Sequence, residues 1–174
     1  MKNKDKWFWQ IAYGLTQLAI GIGLGITICN AQATPTFQVV QDAKLAFVGD
    51  DKGNEAFTPN LIIRMSLDGY DKPTGFSSAI AEYEYADLEG GLYHRWSLGY
   101  GHNVNINCFT ITGSAQFGFI ARQGATMTGV FTGDLAYYIT DHWAIVGSTQ
   151  GTIRTDLKGS PFRFSNFFGV RYKI

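Results

Sequence analysis

From residue 36 to the C-terminus the chain alternates apolar and polar residues with period two, segment after segment. That period belongs to an extended strand with two unlike faces, not to a helix. Eight segments carry it. The first starts at Phe37, with Phe37, Val39, Ala43, Leu45 and Phe47 on one face and Gln38, Val40, Asp42, Lys44 and Val48 on the other. In the second, Leu61, Ile63, Met65 and Leu67 oppose Ile62, Arg64, Ser66 and Asp68. The third sets Ala79, Ala81, Tyr83 and Tyr85 against Ile80, Glu82 and Glu84, and the fourth sets Leu92, His94, Trp96, Leu98 and Tyr100 against Tyr93, Arg95, Ser97 and Gly99. The fifth alternates from Phe109 to Phe119, the sixth from Met127 to Ile139, the seventh from Trp143 to Arg154 and the eighth from Phe162 to Ile174.

Turn-forming residues fall between these segments: Gly49 to Asn54, Asp68 to Pro73, Glu89-Gly90-Gly91, His102 to Asn105, Arg122-Gln123-Gly124, Asp141-His142 and Lys158 to Pro161. Strands joined at this spacing form an antiparallel up-and-down meander, and eight of them are enough to close a barrel. The expectation is one all-β domain over residues 34–174. Composition agrees. Charged residues are 16 % of the chain, against roughly 25 % in an ordinary globular domain, while aromatics reach 15 % with 21 glycines and only four prolines.

Residues 1–33 differ in kind. Lys2, Lys4 and Lys6 precede an uncharged, largely apolar stretch from Ile11 to Ile28, and Ala31-Gln32-Ala33 fits the small-x-small cleavage pattern ahead of Thr34-Pro35. This is the layout of a secretory signal peptide. The alternative is an uncleaved hydrophobic helix, since roughly 20 apolar residues suffice to span a bilayer. Three of the 14 basic and one of the 14 acidic residues lie in this leader, so the remainder is acidic by two charges. That balance lacks the basic footprint of a nucleic-acid partner. Cys29 falls in the leader, which leaves Cys108 as one thiol and no disulfide framework.

Alternation alone is symmetric between a soluble barrel with an apolar core and a membrane barrel with an apolar outside. Three features break the symmetry. The apolar face is aromatic towards the strand ends, where Tyr83, Tyr85, Tyr100, Tyr137, Trp143, Phe162 and Tyr172 fit interfacial girdles. The polar face is rich in Thr, Ser, Gln and Gly and poor in the Lys and Glu of a water-facing surface. Its charges come in both signs, and Arg64, Glu82, Glu84, Arg95, Asp134 and Arg154 form a candidate interior network in which each charge meets a partner. On the lipid side, one Arg at the midplane costs about 2–4 kcal/mol.

Two stretches carry a resemblance. Phe168-Gly169-Val170-Arg171-Tyr172-Lys173-Ile174 resembles the C-terminal strand of small, OmpA-like, porin-like outer-membrane barrels of Gram-negative bacteria, with Ile174 where that pattern ends in Phe. Tyr137 to Ile145, with Thr140-Asp141 at its centre, resembles the tight periplasmic hairpin of the same superfamily. The resemblance implies an outer-membrane location, both chain ends in the periplasm, and outer loops near residues 49–57, 88–91, 122–125 and 156–161. It also implies recognition by the barrel-assembly machinery through Val170, Tyr172 and Ile174, and membrane lipid as the surrounding partner.

The function expected is a non-enzymatic barrel, structural or a narrow channel, without cofactor, metal or catalytic residues. Three alternatives compete. A lipid-modifying enzyme of this size uses a Ser–His–acid arrangement near a His-x-Ser-Asn motif; here Arg163-Phe164-Ser165-Asn166 places Arg in the His position, and His94, His102 and His142 are the only histidines. A surface binding or adhesion barrel would act through its loops, of which the acidic Gly49–Asn54 stretch is the candidate, without the spacing of a calcium loop. A soluble, lipocalin-like carrier is the remaining one.

Overall fold

The computed structural model describes residues 34–174 apart from 51, 70–74, 90, 123 and 156–161; the leader and cleavage site expected over residues 1–33 lie outside the described residues. Eight strands run in chain order: β1 (Thr34–Asp42), β2 (Asn60–Asp68), β3 (Phe76–Leu88), β4 (Gly91–Ile106), β5 (Phe109–Ala121), β6 (Ala125–Tyr138), β7 (Trp143–Ile153) and β8 (Phe162–Lys173). A five-residue helix α1 (Ala43–Phe47) follows β1. Every neighbouring pair is antiparallel, and β8 returns to β1, so the sheet closes into a barrel with the strand order of the sequence. Closure gives every strand a neighbour on both sides and pairs backbone groups strand to strand.

The faces divide as the alternation dictates. Arg64, Glu82, Arg95, Gln116, Thr132, Asp134 and Gln150 are buried inside. Ile63, Ile111, Phe117, Phe131, Ile145 and Val170 stand exposed on the outer wall. Apolar interior residues gather into two small clusters, one of Val40, Ile62, Ala136, Ala144, Val146 and Phe167, the other of Ala86, Tyr93 and Ile120.

Two segments depart from the sequence expectation. The alternation through Ala43, Leu45 and Phe47 reads as more of the first strand, yet β1 stops at Asp42 and these residues turn into α1. Asp42 caps that helix by accepting a hydrogen bond from Leu45 N at 3.0 Å, the arrangement an N-cap aspartate favours. Leu45 is buried, and Phe47 turns outward to stack on Phe168 at 5.3 Å. The second departure is His102 to Asn105, which composition marks as a turn. It is strand: β4 continues to Ile106, pairing Val104 with Ile111 and Ile106 with Phe109. Asn103 serves as an interior polar group. Asn103 Nδ2 donates to Ser78 Oγ (2.6 Å) and Asn103 Oδ1 accepts from Thr112 Oγ1 (2.6 Å). The reversal lies at Asn107-Cys108 instead, with Asn107 in the left-handed region at φ 54°, which Asn tolerates better than most residues.

Closing eight strands curves the wall so tightly that some inner positions admit no side chain. A Cβ on Gly118 would meet Trp96 O at 1.9 Å, and one on Gly169 would meet Val39 O at 2.0 Å. Both obstacles are backbone, so relief requires moving a neighbouring strand. Gly133 has open space around the same position. Gly118→Ala and Gly169→Ala are each expected to cost about 1–3 kcal/mol, the range for overpacking, while Gly133→Ala leaves stability level or slightly raised. Urea midpoints of the barrel folded in lipid vesicles measure the difference.

Candidate functional site

The barrel interior is the place where this chain gathers its chemistry. The register sets Arg64 of β2 directly opposite Glu82 of β3, and Glu84 of β3 directly opposite Arg95 of β4. Arg64 Nε donates to Glu82 Oε2 at 2.6 Å; Nη2 stands as close to that oxygen but is poorly aligned for a bond. Arg95 spreads its guanidinium over three acceptors: Glu84 Oε2 through Nε (2.8 Å), Glu82 Oε1 through Nη2 (2.6 Å) and Ser97 Oγ through Nη1 (2.8 Å). Ser97 passes its own proton to Gln116 Oε1 at 2.8 Å. Glu82, with no exposed surface, therefore sits between two guanidiniums.

The second half of the network centres on Asp134 of β6. Arg64 Nη1 reaches across the lumen from β2 to its carboxylate. Ser148 Oγ donates to Asp134 Oδ1 at 2.6 Å, and Arg171 Nη2 of β8 donates to Oδ2 at 3.0 Å. Arg171 also holds Gln38 Oε1 through Nε at 2.8 Å. The core thus contains three guanidiniums and three carboxylates, all hydrogen-bonded to opposite charge. That is what burial of ions requires, and the planar fork of Arg suits it better than Lys. A separate knot lies nearer the chain termini, where Asp68 accepts from Thr36 Oγ1 (2.7 Å), Ser66 Oγ (3.1 Å) and Ser78 Oγ (2.6 Å).

Five of the six residues singled out for the interior, Arg64, Glu82, Glu84, Arg95 and Asp134, meet in one bonded cluster. The sixth, Arg154, stands higher, at the barrel mouth, with its guanidinium 4.4 Å over the ring of Tyr93. Sequence reasoning left out Arg171. Its parity on the last strand marked it as inward, but only closure of β8 onto β1 and the reach to β6 make it a partner of Asp134.

The aromatic residues divide between the two ends of the outer wall. Tyr100, Tyr137, Trp143 and Tyr172 lie towards the end that holds the chain termini, where Trp143 packs on Tyr172 at 4.8 Å and Phe109 on Tyr137 at 5.0 Å. Tyr83, Tyr85 and Phe162 lie towards the α1 end. There Tyr83 packs on Trp96 at 5.4 Å and its hydroxyl bonds His94 Nδ1 at 2.8 Å. Val170 and Tyr172 share the outward parity of β8, and Ile174, exposed, follows its end.

Among the described residues, two larger open spaces lie at the two ends of the lumen. A cavity of about 480 Å³ occupies the α1 mouth and one of about 540 Å³ the terminal mouth. Between them, beside Arg64, Asp134 and Arg171, the free volume is about 10 Å³, scarcely one water. The α1 mouth is shaped by the loop after the helix, in which Asp50 accepts from Lys52 N (2.9 Å), Asn54 N (3.1 Å) and Asn54 Nδ2 (2.8 Å). Partial burial pushes the Asp50 carboxyl up, but these hydrogen bonds and the charge of Lys44 outweigh it and hold the group below its ordinary 3.8.

Of the residues named for the enzymatic alternative, Ser165, His94 and His142 stand apart. Ser165 faces the inside of β8 and His94 the outer wall of β4, half a turn of the barrel away. His142 lies in a turn, its Nδ1 bonded to Lys173 O at 2.8 Å. A nucleophile needs its base within hydrogen-bond reach.

No protein-family model matches the chain, and no curated protein matches it. Among solved structures it is similar to the outer membrane protein Ail of Yersinia pestis, determined in a phospholipid bilayer nanodisc: 11 % identity over 82 % of this chain and 100 % of that one, with a TM-score of 0.53. A de novo designed transmembrane β-barrel aligns over 82 % of this chain and 95 % of its own, at 9 % identity and a TM-score of 0.46. At this identity it is the fold alone, an eight-stranded antiparallel barrel, that is shared with Ail.

Two outcomes follow from the site. Glu82→Ala leaves Arg64 and Arg95 facing each other without their common counter-charge, and is expected to cost about 3–5 kcal/mol, as for a broken buried ion pair, read from the urea midpoint. Asp50 has its carboxyl lowered in the folded loop, so its contribution is present above pH 3.8 and fades as pH falls through the folded value. The amide signals of Lys52 and Asn54 should titrate with a midpoint below 3.8, and Asp50→Asn should abolish the movement.

Proposed function

We propose that this protein is a bacterial outer-membrane β-barrel with a structural role, exported by a signal peptide over residues 1–33 and lacking enzymatic activity. The observation that carries the reading is the inverted polarity of the fold. Charged and hydroxylic side chains are buried, while Phe, Ile, Leu and Val stand exposed around the wall. In water such a wall would be a large aggregation surface; in lipid it is the required solvent-facing surface. The strands, 9 to 16 residues long, meet the roughly 9–11 residues a tilted strand needs to cross, and aromatic groups flank the apolar band at both ends.

In this reading the chain termini lie in the periplasm and α1 lies on the outer side. The barrel-assembly machinery takes hold of the outward row Val170, Tyr172 and Ile174. A structural role is favoured over a narrow channel because the central ion network closes the lumen between the two mouths. The test is made on protein purified from outer membranes. The intact mass is expected to begin at Thr34, the unboiled band to migrate apart from the boiled one, and planar bilayers to show no discrete conductance. Cytosolic recovery without a gel shift would overturn the membrane reading, and reproducible unitary currents would replace the structural role with a channel.

A further inference from the structure

The wall of the barrel is incomplete on one side of the α1 mouth. β1 leaves the sheet at Asp42, opposite Phe167 of β8. β8 continues to Phe162, paired only with β7 over those last residues. Among the described residues, Phe162–Asn166 therefore has no strand on its β1 side, and β2 begins only at Asn60, opposite Ala86. The space left is bridged by α1 and the loop behind it.

The mouth cavity of about 480 Å³ extends to this place. It is lined by Arg163 and Ser165, which share the inward parity of Phe167 and Arg171, and also by Phe164 and Asn166, which share the outward parity of Phe168 and Val170. A cavity lined by residues of both parities on one strand lies at that strand's edge. The mouth thus reaches the β1 side of Phe162–Asn166, beside α1, as well as opening upward.

The two sides of the opening differ in chemistry. Five basic residues line the cavity, Lys44, Lys52, Arg122, Arg154 and Arg163, against Asp42, Asp50 and Glu84. Each acid is committed within the protein: Asp42 to Leu45 N, Asp50 to the Lys52 and Asn54 amides, and Glu84 to Arg95. Among the described residues, Arg122 Nε is buried without a hydrogen-bond partner. Outside the opening the surface is apolar. Phe164 is 72 % exposed, Val48 76 %, and Phe47, stacked on Phe168, 67 %.

We propose that this lateral opening binds an anionic amphiphile drawn from the surrounding membrane. Its carboxylate or phosphate head sits in the basic mouth, and its acyl chain lies along Phe164, Phe168 and Phe47. Charge complementarity selects the head, and continuity with the lipid-facing wall selects the chain. The inference rests on the barrel's seat in the bilayer, and it assigns a ligand class that a purely structural role does not need.

The test uses the full barrel in phosphatidylcholine nanodiscs and a fluorescent NBD-labelled dodecanoate as probe. Saturable binding is expected, displaced by dodecanoate and dodecyl phosphate but not by methyl dodecanoate or inorganic phosphate at the same concentration. Arg163→Glu should weaken it about tenfold, the scale of a hydrogen bond to a charged group, and Phe164→Ser should weaken dodecanoate without creating phosphate binding. If Arg163→Glu lacks the folded gel band, Lys52→Gln on the exposed loop carries the same expected direction. Equal displacement by the methyl ester would reduce the site to plain hydrophobic adsorption, and equal displacement by inorganic phosphate would reduce it to an anion pocket; either overturns the proposal. So does the absence of saturable binding by a barrel that still shows its gel shift, a result that leaves the membrane reading standing.

Discussion

The contact on which the interior depends is the reach of Arg64 across the lumen to Asp134. It joins β2 to β6, strands on opposite sides of the closed sheet, and so ties together walls that share no ladder hydrogen bonds. Around it, Glu82 and Arg95 extend the ion chain towards β4, and Arg171 extends it to the closing strand. An isolated ion in such a space would be costly to bury, but here three guanidiniums and three carboxylates neutralise one another. The same packing leaves almost no free volume at the centre. Stability of the core and closure of the lumen are therefore one physical fact, not two.

The outer wall obeys the opposite chemistry for the same geometrical reason. A strand has two faces, and once the inner one carries the ions, the outer one carries the hydrocarbon. Small radius adds a further demand, met at Gly118 and Gly169, where a neighbouring carbonyl occupies the place of a Cβ. Among the described residues, the wall is interrupted at α1. Asp42 satisfies the first turn of a helix instead of continuing the ladder, which exposes the edge of β8 and brings the basic mouth to it.

Much of this was legible in the chain before any fold was known. Period-two alternation is a local property, so the number of strands, the inner and outer parity of each residue and the sequential antiparallel order could be read from neighbours alone. The same holds for Arg64, Glu82, Glu84, Arg95 and Asp134 as inward charges. It fails where two local signals compete. Ala43, Leu45 and Phe47 alternate like a strand, but the aspartate before them is a helix cap. Asn103 and Asn105 look like turn residues, but both lie on β4: the Asn103 amide is an interior group between Ser78 and Thr112, and Asn105, exposed at the strand's end, accepts from Thr110.

What the sequence by itself determined, then, is the barrel and the sign of each face, because both follow from side-chain period and residue chemistry along single strands. Only the tertiary structure decided which charges meet. Pairing depends on register between strands and on distances across the closed lumen, neither of which is encoded in any one segment. It also decided where the wall ends: the gap beside α1 exists because β1 and β8 stop at different heights, a difference that appears only when the first and last strands are placed side by side.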